Sequence, residues 1–169
     1  MSISMYDFSI PMLTRGLTNM SAILDKAAAH SATKKFDPVV LAQTRLFPDM
    51  YPLARQVQIT CDTAKGAAAR LAGIDVPKHE DTETTLAELK ARIAKTVDFL
   101  KSVTPAQLKD AETRAIEIKF PDGSWKFTGL AYLTDFALPN FYFHVSMVYA
   151  LLRKNGIEVG KGDFLGAIQ

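Results

Sequence analysis

The sequence contains few of the residues that carry redox and metal chemistry. Among its 169 residues there is one cysteine, one tryptophan and three histidines. A single cysteine excludes an intrachain disulfide, and with it a disulfide-stapled scaffold. A lone thiol is also typical of a reducing compartment, so we expect a cytoplasmic protein. The chain is long enough to bury a hydrophobic core without covalent support, and its length predicts one domain spanning residues 1–169.

An excess of charge of one sign is also absent. Lys and Arg number 20 and Asp and Glu number 18, which gives a formal net charge of +2. Nucleic-acid-binding proteins concentrate basic residues on one surface, whereas the densest basic pair here, Lys34–Lys35, is isolated. The hydrophobic fraction of 48% is ordinary for a globular protein and excludes disorder and a collagen-like fibre. We therefore expect no nucleic-acid partner.

Membrane insertion is not expected either. Met1–Leu13 lacks the basic start and apolar run of a signal peptide. Gly129–Leu152 is long enough to span a bilayer and contains no Lys or Arg. Its central part nevertheless carries Asp135, Asn140 and His144, and such polar groups are costly in lipid. The segment is better interpreted as a helix buried inside a bundle.

Apolar residues recur at helical spacing in four long segments. The predicted helices run from about Met5 to His30, Asp49 to Gly73, Thr82 to Ser102 and Leu130 to Lys154. Pro11 marks either a kink or the true start of the first helix after Ser9, and Pro139 predicts a bend in the fourth. The third helix has a polar face with Glu88 and Arg92 at i,i+4 spacing, which predicts an exposed ion pair. Matched helix lengths favour a four-helix bundle.

The period changes from 3.6 to 2 between the third and fourth helices. Ile116, Ile118 and Phe120 alternate with polar residues, Pro121–Ser124 is a turn signal, and Trp125 resumes the alternation. This pattern predicts a small β-hairpin that packs on the helices. The expected fold class is therefore all-α, a four-helix bundle with a β-hairpin inserted between helices three and four.

The three histidines do not predict a metal site. His30 and His79 fall at opposite ends of an up-and-down bundle, and His144 falls in the middle of helix four. Gly160-Lys161-Gly162 has neither a preceding strand nor a following helix in this prediction, so it does not qualify as a phosphate loop. Cys61 lies on the apolar side of helix two. It is interpreted as a small buried hydrophobe, with a catalytic thiol as the alternative.

The best candidate site is a polar pocket around His144. Asn140 and His144 are at i,i+4 spacing and share a face of helix four, while Gln56 and Thr60 lie beside the apolar stripe of helix two. Together they predict a small pocket with a titratable imidazole that takes a small-molecule ligand. The alternative is a buried histidine satisfied by one hydrogen bond. The tyrosines of the fourth helix are expected in the core or at an interface: Tyr132, Tyr142 and Tyr149.

Several segments resemble an uncharacterised, domain-of-unknown-function branch of the DinB/YfiT-like superfamily. They are Met5–Pro11, Leu24–Ala27, Leu138–His144, Tyr149–Gly156 and Asp163–Gly166. The resemblance implies a helical bundle that often forms homodimers. The better-studied relatives are regarded as metalloenzymes, some of them thiol transferases, with one histidine on helix two and two at i,i+4 on helix four.

Carried over by position, this metal triad is incomplete. His144 matches one ligand on helix four, but its i−4 and i+4 neighbours are Asn140 and Val148, and helix two has no histidine. We therefore expect no metal or other cofactor, and a homodimeric bundle with a pocket around His144. Two alternatives stay open. One is a metal-dependent transferase or hydrolase with ligands such as Asp62 or Asn140, and the other is a homodimeric interaction module without catalysis.

Overall fold

The computed structural model describes residues 4–167 as a helical bundle. Its helices are α1 (Ile10–Lys34), α2 (Val39–Ala42), α3 (Leu53–Ala72), α4 (Leu86–Ser102), α5 (Gly129–Ala131), α6 (Leu138–Lys154) and α7 (Lys161–Leu165). Its strands are β1 (Ala115–Phe120) and β2 (Gly123–Thr128), and they form a hairpin between α4 and α5. The predicted fold class is confirmed. No helix within residues 4–167 is long and apolar enough to cross a membrane.

The first helix begins later and ends later than the apolar stripe alone predicts. It starts at Ile10, just after Ser9, with Pro11 in its first turn, where a missing N–H removes no helix bond. The residues before it form a separate turn in which the Ser4 N–H donates to the Asp7 carboxylate (3.1 Å). The helix continues one turn past His30 to Lys34.

Helices α3 and α4 also start later than predicted, and their first turns explain why. Pro52 precedes α3 in extended conformation. The Thr85 hydroxyl accepts from the Glu88 N–H (3.2 Å), while the Glu88 carboxylate accepts from the Thr85 N–H (2.9 Å). This reciprocal cap fixes the start of α4 at Leu86. The Glu88 carboxylate is used in this cap and therefore does not pair with Arg92.

The hairpin has the predicted alternation. Ile116 pairs with Phe127 and Ile118 with Trp125 across the two strands. The apolar face packs on the following helical segment, where the Trp125 ring lies 5.6 Å from the ring of Phe136. The Phe127 ring also lies 6.0 Å from the ring of Tyr132. Two strands alone are marginally stable, so these aromatic contacts help to hold the hairpin to the bundle.

The predicted fourth helix is helical throughout from Gly129 to Lys154, and a π-helical turn lies next to the bend predicted at Pro139. This wider turn covers Tyr132–Ala137, and Pro139 is the second residue of α6, which follows it. A proline has no N–H to donate, and its ring clashes with the carbonyl four residues earlier in an α-helix. The wider turn accommodates Pro139 without ending the rod.

The last described segment, residues 157–167, packs on the bundle, but not as a simple turn. Contrary to the expectation for Gly160-Lys161-Gly162, the short helix α7 begins at Lys161. The Asp163 carboxylate accepts from the Gly160 N–H (2.9 Å) and pairs with Lys26 (2.7 Å). These bonds start the helix and attach it to α1, while Ile157 and Val159 are buried.

The core is closed around the second half of the fourth rod. Helices α3 and α6 run antiparallel, and alanines line the α3 side of the core, including Ala64 and Ala68. On the α1 side, a Cβ added to Gly16 would lie 2.6 Å from the ring of Phe141. Small residues on both neighbours therefore allow α6 to lie deep in the bundle.

Gly129→Ala should destabilise the protein. A Cβ at Gly129 would lie 1.8 Å from the carbonyl oxygen of Ala111, and backbone cannot move aside as a side chain can. We expect the free energy of unfolding to fall by at least about 2 kcal/mol in urea denaturation. Gly162→Ala is the control, because nothing lies within 4 Å of its added Cβ. Equal stability of the two variants would contradict this contact.

Candidate functional site

The structure joins two of the predicted pocket residues by a direct hydrogen bond. His144 on α6 and Gln56 on α3 face each other, with 2.6 Å between His144 Nδ1 and Gln56 Oε1. Gln56 is held in turn, because its Nε2 donates to the carbonyl of Tyr51 (3.2 Å). The antiparallel arrangement of α3 and α6 brings these two positions to the same level.

This chain of bonds determines the tautomer of His144. The amide of Gln56 presents its oxygen to the ring, because its nitrogen is used by Tyr51. An amide oxygen only accepts hydrogen bonds, so Nδ1 of His144 must carry the proton. In the neutral ring the lone pair is therefore on Nε2, which has no hydrogen-bond partner among the described residues.

The environment favours the neutral form of His144. The side chain is almost fully buried, with 8% exposure. Burial lowers the pKa of His144 below its usual value, and the positive charge of Arg55 lowers it further. The result is a neutral imidazole at physiological pH, oriented by Gln56, with an acceptor atom that has no protein donor.

The other two predicted pocket residues, Thr60 and Asn140, form hydrogen bonds with residues other than His144. Thr60 is fully buried, and its hydroxyl donates to the carbonyl of Gln56 on its own helix (2.8 Å). The Asn140 amide, one turn from His144, donates to the hydroxyl of Thr63 (2.8 Å). Thr60 and Asn140 therefore reinforce the helices around the imidazole, and neither bonds to His144.

Two exposed aromatic residues are connected to the imidazole, one by its ring and one through Gln56. The Phe143 ring meets the His144 ring edge to face at 5.1 Å and is 52% exposed. Tyr51, whose carbonyl holds Gln56, is 56% exposed, and the guanidinium of Arg55 lies 5.9 Å from its ring. The exposed ring of Phe143 therefore lies beside the imidazole, and the backbone of Tyr51 holds the glutamine that orients it.

Cys61 matches its interpretation as a small buried hydrophobe. The side chain has no exposure, and burial raises the pKa of the thiol to about 12. At neutral pH this sulfur is therefore a protonated thiol, which is a poor nucleophile.

A second polar cluster was not anticipated from the sequence. Arg92, predicted on an exposed face, has only 1% side-chain exposure. Its Nη2 contacts carboxylate oxygens of Asp62 and Asp81 at 2.8 Å, and its Nη1 contacts Glu83 at 3.1 Å. The predicted Glu88–Arg92 pair is wrong, because long-range carboxylates compete for the guanidinium.

These contacts fix a segment without regular secondary structure between α3 and α4. Arg92 also donates to the carbonyl of Glu80 (2.8 Å), and Arg55 pairs with Asp81. Lys65, itself buried, pairs with Asp62 (2.5 Å). Each carboxylate in the cluster therefore faces a cation, as buried charges require. The two helices and the segment between them are tied together through Arg92.

Two comparisons with known proteins bear on the identity of this chain. Residues 5–165 match the family model described as Domain of unknown function (DUF1993). The chain belongs to the DUF1993 family. A crystal structure of a DinB family member protein from Shewanella denitrificans is similar to it, with 45% sequence identity and a TM-score of 0.90. The similarity covers 96% of this chain and 92% of that one. No curated protein matches the chain.

The resemblance to a domain-of-unknown-function branch of the DinB-like superfamily is thereby confirmed. The metal site that the resemblance implies does not fit the DUF1993 chain described here. Within residues 4–167, no three His, Cys, Asp or Glu side chains are grouped so as to hold a metal ion. His144 is the one imidazole at the site, and its partner on α3 is the amide of Gln56. Asp62, named above as an alternative ligand, is held by Arg92 and Lys65.

Arg92→Met should destabilise this DUF1993 protein. The substitution keeps the apolar stem but leaves three carboxylates without their shared cation. We expect a loss of about 3 kcal/mol in the free energy of unfolding, at the low end for a broken buried pair because Asp62 and Asp81 are partly exposed. Hydrogen exchange should also accelerate in residues 74–85. Lys95→Met, an exposed change on the same helix, should stay within about 0.5 kcal/mol of wild type.

Proposed function

We propose that this protein binds a small neutral molecule that donates a hydrogen bond to Nε2 of His144. The observation that carries this proposal is the bond between His144 Nδ1 and Gln56 Oε1 at 2.6 Å, because it leaves Nε2 as an oriented acceptor. The proposed ligand carries a hydroxyl, thiol or amide donor on an apolar body. No three-histidine metal site takes part.

The surroundings of His144 support this ligand class. A lowered imidazole pKa disfavours binding of a carboxylate through a protonated ring, since the ring is neutral. The exposed ring of Phe143 offers an apolar surface next to the His144 ring. A ligand with a donor satisfies Nε2 while its apolar body covers the neighbouring Phe143 ring.

Phenol and anisole form a matched pair of probes. They share a ring, but only phenol has a hydroxyl to donate. In protein labelled with ¹⁵N-histidine, we expect phenol to shift the Nε2 resonance of His144 in a saturable way, while anisole leaves it unchanged. Gln56→Leu should weaken the phenol response about tenfold, because the imidazole loses the bond that orients it.

His144→Ala supplies the matching control. It should stay folded and lose binding of phenol as measured by saturation-transfer NMR. If it unfolds, Gln56→Leu alone decides the matter, because that change leaves the ring in place. Equal responses to phenol and anisole would contradict the proposal. Stoichiometric zinc, nickel or manganese in tag-free wild-type protein that disappears in His144→Ala would also contradict the proposal. That result would instead support the metal-dependent transferase or hydrolase.

A second candidate role, a homodimeric interaction module, is favoured by exposed apolar side chains near the same site. The residues between α2 and α3 include Phe47 and Tyr51, with 64% and 56% exposure, and Phe143 is 52% exposed. The Tyr51 carbonyl is linked to the Phe143 ring through Gln56 and His144. Because α6 is itself covered by α1 and α3, a partner would cover these exposed side chains rather than the fourth helix as a whole.

Light scattering after size exclusion tests the dimer. Wild-type protein should elute with twice the chain mass, and Phe143→Lys should shift it to the monomer because a charge is costly in an apolar interface. Phe8→Lys is the control, since Phe8 is similarly exposed, at 48%, on another part of the surface. A monomeric wild type would exclude the dimer and leave the small-molecule proposal intact.

A further inference from the structure

A cleft between the start of α1 and the end of α4 differs in charge from three other clefts on the described surface. It encloses about 390 Å³ and is lined by residues that include Tyr6, Thr14, Arg15, Asn19 and Lys101. No lining residue is acidic. Three further clefts within residues 4–167 each contain at least one Asp or Glu.

The two cations of this cleft are not neutralised by the described protein. Arg15 and Lys101 take part in none of the ion pairs that join Lys or Arg to carboxylates elsewhere in residues 4–167, such as Lys26–Asp163 or Lys90–Asp25. A concave surface with uncompensated charge of one sign focuses the field and attracts counter-ions. The cleft therefore favours an anion.

The wall of the cleft contains a hydroxyl without a partner. Thr14 Oγ1 is buried and makes no hydrogen bond, whereas the Thr18 hydroxyl one turn later donates to the carbonyl of Thr14 (2.9 Å). Threonine in a helix populates two side-chain rotamers, so a rotation about χ1 can turn the Thr14 hydroxyl towards a bound group. A bound oxyanion would accept a hydrogen bond from the Thr14 hydroxyl and so supply the missing partner.

The other end of the cleft is apolar. Ile10, Pro11 and the ring of Tyr6 line it, and Tyr6 also lines the neighbouring cleft together with Phe8 and Leu130. The apolar surface thus continues away from the two cations. An occupant that matches this arrangement has an anionic head and a short apolar body.

We infer that this cleft binds a small organic anion, a carboxylate or a phosphate ester, with its charged group between Arg15 and Lys101. The site is independent of His144. Arg15 lies close enough to Tyr142 for its positive charge to act on the Tyr142 hydroxyl. Side chains at positions 142 and 144 point about 200° apart around a helix. The α1–α4 cleft and the His144 site therefore lie on different sides of α6.

Backbone amide NMR titrations with butyl phosphate, butyrate and butylamine test this inference. We expect saturable shifts at the cleft residues with the two anions, with millimolar affinity suited to ligands of this size, and none with butylamine. Tighter binding of butyl phosphate would assign the site to phosphate esters, and tighter binding of butyrate would assign it to carboxylates.

Charge-removing variants locate the binding. Arg15→Gln and Lys101→Gln should each weaken binding of the preferred anion about tenfold. Lys95→Gln is the control. It removes a positive charge from α4, the helix that carries Lys101, but next to a cleft that contains carboxylates, and it should leave the affinity unchanged. The inference is overturned if neither anion saturates, if butylamine binds equally well, or if Lys95→Gln weakens binding as much as Arg15→Gln.

Discussion

The close packing of α6 between α3 and α1 is the constraint on which the rest of the structure depends. Alanines on α3 and Gly16 on α1 let α6 approach until Phe141 and Val148 have no exposure. At this depth every polar group on α6 that faces inward needs a partner. Gln56 is that partner for Nδ1 of His144, so the packing of apolar residues determines the chemical form of the one imidazole in the core.

The same requirement explains the cluster around Arg92. Removing a guanidinium from water is expensive, and it is tolerated here because Asp62, Asp81 and Glu83 surround it. Two of these carboxylates belong to the segment between α3 and α4, which lacks helix or strand bonds of its own. The buried guanidinium of Arg92 is therefore also the group that orders this segment.

The parts of the fold that follow from local periodicity could be predicted, and the parts that follow from long-range pairing could not. Apolar spacing identified the four rods and the hairpin, and Gly73, with φ of 69°, ends α3 as expected. The sequence predicts an exposed Arg92, because Glu88 lies one helical turn earlier and is placed to form an ion pair with it at the surface. Glu88 caps α4 instead, and the true partners of Arg92 lie 9 to 30 residues earlier in the chain.

The candidate site shows the same division between local and long-range signals. Helical spacing placed Gln56 and His144 on inward faces, but only the antiparallel register of α3 and α6 brings them to 2.6 Å. Thr60 and Asn140 share those faces, yet Thr60 bonds to its own helix and Asn140 to Thr63. In the three-histidine site implied by the superfamily resemblance, the ring nitrogens are shared with a metal ion. In this chain α3 carries no histidine, and the amide of Gln56 holds His144 as a single, neutral acceptor. This difference in donor set separates the proposed chemistry from that of the metalloenzymes.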